Sequence, residues 1–276
     1  MSTVTISAQQ VNELRKITGA GIMDCKKALV ETNGDIEAAI DNLRKKGAKI
    51  AASRADRDAK EGLALSLISS DNKKGISFVL NCETEPVAKN VDFIALANAI
   101  ATLSLNSDAK TSEDVKKLTL GEKSVEEAIV EKIGVMGEKI EISGFGVVNA
   151  EFVGAYNHSG VKSAIVGFNQ TIDSEIGKDI AMHIVACSPI AIDKENIDAT
   201  MLERELAIGR EQARTEGKPE EMIEKIAQGK LNKFYKDNTL YNQEYMNDDK
   251  KTVKQYLESL NKDLVILGFN NCGLAR

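Results

Sequence analysis

EGLALSLISSDNKKGISFVLNCETEPVAKNVDFIALANAIATLSL, residues 61–105, decides the fold. Residues 61–69 and 74–82 are β-like and are joined by the turn Ser70-Asp71-Asn72-Lys73, which reads as a hairpin. After Glu83-Thr84-Glu85-Pro86 the period changes, and Phe93, Ile94, Ala97, Ile100 and Ala101 line one side of a helix over about 90–105. The same order recurs downstream. Residues 147–156 and 162–168 read as a second hairpin around Asn157-His158-Ser159-Gly160, followed by a helix over 174–187. A shift of 86 residues lays Phe78-Val79-Leu80 on Ala164-Ile165-Val166, and Ile94-Ala95-Leu96 on Ile180-Ala181-Met182. Two related hairpin-plus-helix subdomains imply an α+β architecture. Between them, residues 106–121 read as polar loop, 124–133 as a short helix and 139–143 as a strand.

Upstream, residues 1–47 read as three short helices. Ser7 and Gln10 form a capping-box start, each side chain satisfying the other residue's backbone N–H. Val11, Leu14 and Ile17 then offer an apolar stripe. Gly19-Ala20-Gly21 breaks that helix. A second runs over about 22–32, with Met23, Ala28 and Leu29 available for the core, and Asn33-Gly34 ends it. Ile22 and Met23 cannot both point inward from a helix start beside Gly21, so at least one is expected at the surface. Asp35 caps a third helix carrying Ile36, Ala39, Ile40 and Leu43, which Gly47 is expected to stop. Such a bundle is marginal alone and suits an interaction module better than an enzyme. Residues 44–60, RKKGAKIAASRADRDAK, read as a charged connector, either a solvated helical linker or a basic face for an acidic partner.

Downstream, residues 198–236 are helical again. Met201, Leu202, Leu206 and Ile208 mark one helix, and Met222, Ile223, Ile226 and Phe234 the next. Gly217-Lys218-Pro219 is the stop and restart between them. This is a helical hairpin inserted in the second subdomain. A last helix over 253–260 and a last strand over 264–269 complete the pattern.

With 42% hydrophobic and 28% charged residues, the 276-residue chain can bury a sizeable core. Lys and Arg number 36 against 42 Asp and Glu, a net charge of −6, so no global basic field invites nucleic acid or an anionic membrane. The start, MSTVTISAQQ, lacks the basic and apolar regions of a signal peptide, and the expected location is the cytoplasm. Cys25, Cys82, Cys187 and Cys272 form no C-x-x-C pair and read as free thiols. Cys187 and His183 stand at i, i+4 and face one way on a helix, but no third, orienting group is evident. No phosphate-binding glycine loop is present, so no nucleotide cofactor and no metal are expected. The pattern points to binding rather than to chemistry.

Three stretches carry a family resemblance: LRKITGAGIMDCKKALVETNGDIEAAIDNLRKKG (14–47), NCETEPVAKN (81–90) and GKPEEMIEKIAQGKLNKFYKDNTLYNQ (217–243). In family order and over most of the chain, they resemble bacterial elongation factor Ts, the guanine-nucleotide exchange factor of elongation factor Tu. The resemblance implies a UBA-like three-helix unit with its linker at 1–55, core subdomains at 56–143 and 144–197, the inserted helical hairpin at 198–236 and a C-terminal module at 237–276 that completes the second subdomain. It implies a non-enzymatic factor that binds Tu·GDP and nucleotide-free Tu and promotes GDP release, so that GTP can reload. A homodimer or a 2:2 assembly with Tu is compatible with it. By motif position, Arg15, Ile22 and Met23 fall where the family contacts the GTPase domain, and His158 falls in a partner-facing loop. The family's T-D-F-V-A-K-N loop, which intrudes near the Mg²⁺ site, reads here Thr84-Glu85-Pro86-Val87-Ala88-Lys89-Asn90. Glu replaces Asp and Pro replaces Phe. Proline offers far less apolar surface than Phe and is expected to bias Glu85 toward extended backbone.

Three other readings stand beside this one. A three-helix unit of this kind also serves ubiquitin and nascent-chain binders, which would not need the 81–90 loop or the paired hairpins. Cys187 and His183 could serve a thiol or metal enzyme. A degenerate paralogue would bind Tu without efficient exchange, and Pro86 is the residue that favours it.

Overall fold

The chain is seen in a computed structural model that describes residues 6–275, so residues 1–5 of the 1–55 unit and residue 276 of the 237–276 unit lie outside the described residues. Helices α1 (Ala8–Thr18), α2 (Ile22–Glu31) and α3 (Ile36–Arg54) enclose a small core of Val11, Leu14, Cys25, Ala28, Leu29 and Ala39. The Ser7–Gln10 capping box opens α1, Gly19 ends it at φ 67°, and the Asp35 carboxylate accepts the Ala38 N–H at 3.0 Å. Two expected core residues lie outside it. Ile17 is 57% exposed and Met23 74%. Six residues past Val11, Ile17 has rotated about 120° off the buried stripe at 3.6 residues per turn.

Strands β1 (Glu61–Ile68) and β2 (Lys74–Cys82) form the first hairpin. A single helical turn, α4 (Glu85–Ala88), leads into α5 (Val91–Leu105). The segment expected to be loop contains α6 (Ser112–Lys117) and the two-residue arms β3 (Thr119–Leu120) and β4 (Lys123–Ser124). The missed signal is the Thr111–Asp114 capping box, a helix start written in polar residues. Helix α7 (Val125–Met136) and β5 (Ile140–Asn149) follow.

Gly47 does not stop α3, which continues seven residues to Arg54. It lies buried against α7, where a Cβ on Gly47 would come within 3.2 Å of the Val130 carbonyl. A mid-helix glycine costs about 1 kcal/mol of propensity, and close helix contact offsets it. The 44–54 stretch is thus helical, as a helical linker would be, with Gly47 packed on α7, most of its other residues in solvent, and Arg44 paired to Glu131 at 3.2 Å.

The expected strand 147–156 is split. Residues 147–149 end β5, and β6 (Phe152–His158) begins after the turn at Ala150-Glu151. The Ala150 and Val153 N–H groups are taken by Lys73 and Asn72 carbonyls in the first hairpin's turn, which passes the chain from one sheet to the other. Strand β7 (Lys162–Phe168) and α8 (Ser174–Cys187) follow. Helices α9 (Ala199–Thr215) and α10 (Glu220–Asn238) form a helical hairpin closed on Gly209, Ala213, Ile223, Ala227 and Leu231. The marker residues Met201, Ile208 and Met222 are exposed instead. The arms β8 (Glu244–Tyr245) and β9 (Asp248–Thr252), helix α11 (Val253–Leu260) and strand β10 (Ile266–Gly273) complete the chain.

Both main sheets are antiparallel and three-stranded, ordered β1-β2-β5 and β10-β7-β6. In each, a hairpin is followed by a helix and later by a third strand against the hairpin's second arm. Strand alternation sorts the residues. Ile76, Phe78 and Leu80 face α5 and α7, while Ala164, Val166 and Phe168 face α8. The opposite faces meet: Val153 and Ile165 pack beside Val148, and Ser163 Oγ donates to the Leu65 carbonyl at 3.1 Å. The result is helices outside and two sheets inside. The last strand is not confined to 264–269: it is Ile266–Gly273, so Asn270–Gly273 all belong to β10. Asn270 Oδ1 accepts from Ser77 Oγ at 2.6 Å across the seam, and Gly146 leaves the space its side chain fills.

Candidate partner-binding surface

The α1–α2 corner is built by two glycines. Gly19 turns the chain in left-handed backbone, and extended Gly21 is the N-cap of α2. Cys25, Ala28 and Leu29 take the buried face of α2, so its other face is left to solvent. Ile22 is 51% exposed and Met23 74%, and Arg15 is exposed on α1 nearby in sequence. The reading from the residues missed two neighbours. Val30 is 56% exposed and stands seven residues after Met23, two helical turns along the same side, and Ile17 is exposed at the end of α1. Lys16, Lys26 and Lys27 are exposed on the same two helices, as is Glu31, which lies 4.0 Å from Lys27. Exposed apolar side chains of this kind are a common feature of docking surfaces.

The 84–90 segment is more ordered than its sequence implies. Glu85 is not extended: it opens α4, and the extended residue is Thr84, at φ −131° and ψ 151°. Proline is tolerated in the first turn of a helix because its missing N–H would lack a partner there anyway. Glu138 holds Thr84 by its N–H at 3.0 Å and its hydroxyl at 2.6 Å. The Lys89 ammonium lies 2.5 Å from Glu85 and pulls that carboxyl below its ordinary range. Val87 and Ala88 turn inward onto the first sheet's core, whereas Glu85, Pro86, Lys89 and Asn90 are exposed. Asn90 caps α5 by accepting the Asp92 N–H at 2.8 Å. Val91, the first residue of α5, is 78% exposed and was missed by the sequence reading. The signal that could have found it is its place about 200° around the helix from Phe93, on the side away from the buried stripe.

Comparison with known proteins decides what this surface belongs to. The sequence model of the family described as "Elongation factor TS" matches residues 83–273. The chain is 47% identical over 272 residues to "Elongation factor Ts" of Christiangramia forsetii, covering 98% of each. It is 48% identical over 270 residues to the protein of that name from Amoebophilus asiaticus, covering 96% of this chain and 98% of that one. The chain belongs to the elongation factor Ts family. It is a translation elongation factor that acts as a nucleotide exchange factor for elongation factor Tu, with no chemistry of its own.

The remaining residues suit an elongation factor Ts and not a thiol enzyme. Cys187 Sγ lies 3.9 Å from His183 Nδ1, but that nitrogen already accepts the Met246 N–H at 3.4 Å. His183 Nε2 meets Gln243 Oε1 at 3.1 Å. Burial pushes the His183 imidazole down, so the ion pair a nucleophilic thiol needs is disfavoured. His183 is a core histidine with both ring nitrogens satisfied. Cys187 itself is exposed, unlike the buried Cys25 and Cys82. His158 ends β6, opposite Lys162, and its Nδ1 lies 3.3 Å from the Tyr156 hydroxyl. It belongs to the second sheet, whereas the 84–90 segment leaves the first. Among the described residues, no cluster of three or more His, Cys, Asp or Glu could hold a metal, and no helix is long and apolar enough to cross a membrane.

Proposed function

We propose that this elongation factor Ts docks on Tu·GDP through two separate patches and releases GDP by straining the GTPase between them. The first patch is Arg15, Ile22 and Met23, on a UBA-like three-helix unit within 1–55. The second is the segment Thr84 to Asn90 with Val91 beside it. Their carrier is the core subdomains 56–143 and 144–197, with the hairpin 198–236 inserted and 237–276 completing the second. His158 is a further contact on the second sheet. The observation that carries the reading is the exposure of Ile22 and Met23 together, since a small bundle has every reason to bury them unless a partner does.

Linkage constrains the mechanism. A partner weakens GDP only by binding nucleotide-free Tu more tightly than Tu·GDP, and GDP weakens the partner by the same factor. Each tenfold acceleration requires about 1.4 kcal/mol of barrier lowering. Pro86 supplies less apolar surface than the family's Phe, so Val91 and the α1–α2 corner carry more of that contact here. The action belongs to the cytoplasm, where translation proceeds, and sedimentation of the mixture with Tu distinguishes a 1:1 complex from a homodimer or a 2:2 assembly.

The test is release of a fluorescent GDP analogue from cognate Tu at saturating Mg²⁺, with and without the chain. Acceleration by several powers of ten is expected. A stable complex without acceleration would overturn the reading in favour of a binder that has lost exchange.

A further inference from the structure

The Glu83 carboxylate joins three segments distant in sequence. Its Oε1 accepts from the Arg54 guanidinium at 2.8 Å and from the Lys139 backbone N–H at 2.6 Å. Its Oε2 accepts from Arg57 at 3.1 Å. Arg54 is the last residue of α3, the helix that carries the three-helix unit. Lys139 lies just before β5, and Glu83 immediately precedes the 84–90 segment. Supporting bonds surround the joint: Lys139 Nζ donates to the Arg57 carbonyl at 3.0 Å, while Glu138 holds Thr84. The Glu83 side chain is only 13% exposed. A shielded carboxylate with three donors, two of them charged, holds its geometry far better than a solvated surface pair.

We infer that Glu83 is a positioning residue for nucleotide exchange, locking the end of α3 to the 84–90 segment so that the α1–α2 corner and the Val91 edge meet Tu at a fixed separation. This rests on the two-patch docking proposed above. With the joint fixed, the second patch engages at little further ordering cost once the first is seated. With the joint loose, α3 stays packed on α7 but the 84–90 segment can shift relative to the end of α3, so less strain is carried between the patches. Only a difference between the GDP-bound and nucleotide-free complexes accelerates release. Loss of the joint therefore spares ground-state binding and slows release.

The experiment uses the full chain with cognate Tu loaded with a fluorescent GDP analogue, measuring maximal release rate and half-saturating concentration separately. Glu83→Ala is expected to lower the maximal rate by about tenfold or more, as misplacement by an ångström can. The half-saturating concentration should move by less than about threefold, since the contact residues remain. Glu83→Gln should fall between, because its carbonyl still accepts the Lys139 N–H. A second readout is a mutant cycle of Met23→Ala with Val91→Ala. The two should be coupled in the unaltered chain and should multiply independently, within about twofold, once Glu83 is Ala. Unchanged release in Glu83→Ala overturns the inference, as does a proportional loss of release and binding. Should Glu83→Ala fail to fold, Arg54→Ala carries the same test with Arg57 and Lys139 still in place. Failure of the unaltered chain to accelerate release sinks the two-patch reading itself, a result distinct from an indifferent Glu83.

Discussion

Gly47 of α3 and Gly134 of α7 meet backbone to backbone: a Cβ on Gly134 would lie 2.8 Å from the Gly47 Cα. The obstructing atom is main chain and cannot rotate away. Adding that methyl should gain about 1 kcal/mol of helix propensity but lose about 1–3 kcal/mol to overpacking. Gly134→Ala is therefore expected to lower stability. Gly229 in α10 is the control, with nothing within 4 Å of its would-be Cβ. Gly229→Ala should raise stability by about 0.5–1 kcal/mol. Urea unfolding of both variants checks the pair, and the same sign for both would refute the packing argument.

Exposed apolar residues at the α1–α2 corner separate binding from stability. Met23→Ala should leave the unfolding midpoint nearly unchanged, within about 0.5 kcal/mol, because the side chain buries little in the free chain. Its affinity for Tu should fall by about tenfold, as for a central interface anchor. Calorimetric titration against Tu·GDP together with thermal unfolding reads both. A stability loss larger than the affinity loss would make Met23 a packing residue.

At the second patch, Pro86→Phe is expected to change the exchange rate by less than about threefold, whereas Val91→Asp lowers it by about tenfold through a desolvated charge. Combining Ile22→Ala with Met23→Ala should abolish exchange. A large gain from Pro86→Phe, with little loss from the other changes, would restore position 86 as the main wedge.

His183 gives a pH dependence with a definite sign. Burial lowers its folded pKa below the ordinary 6.5, so between the two values the unfolded chain binds more protons than the folded one. The contribution to stability is complete above 6.5 and is lost as pH falls through the folded value. His183→Gln removes this titration, so its stability should decline less than that of the unaltered chain over that interval. Denaturant midpoints at several pH values measure it, and parallel curves would show that His183 does not titrate on unfolding.

Much of the fold was legible because its signals are local. The 74–82 and 162–168 strands and the 174–187 helix stand where alternation, turn residues and helical periodicity put them. The errors have long-range causes. Gly47 looks like a stop until Gly134 is beside it, and Asn270 looks wrong for a buried strand until Ser77 meets it. The 147–156 run reads as one strand, yet its two halves answer to different sheets. For the site, the flanking glycine made legible only that at least one of Ile22 and Met23 faces outward; Met23 was also read as core, and both are exposed. Glu83 was not, because its meaning lies in Arg54, Arg57 and Lys139, none of which is near it in sequence except through folding.

Strand β10 has a consequence for how the chain is made. Its residues 266–273 close the second sheet on β7, which ends at residue 168. At about 5–20 residues per second, a ribosome exposes β7 for roughly 5–20 s before its last neighbour exists. During that wait one edge of the strand holding Ala164, Val166 and Phe168 is an open template for other nascent chains. The exchange factor of translation thus completes its own second sheet only after α8, α9, α10 and α11 have all been made.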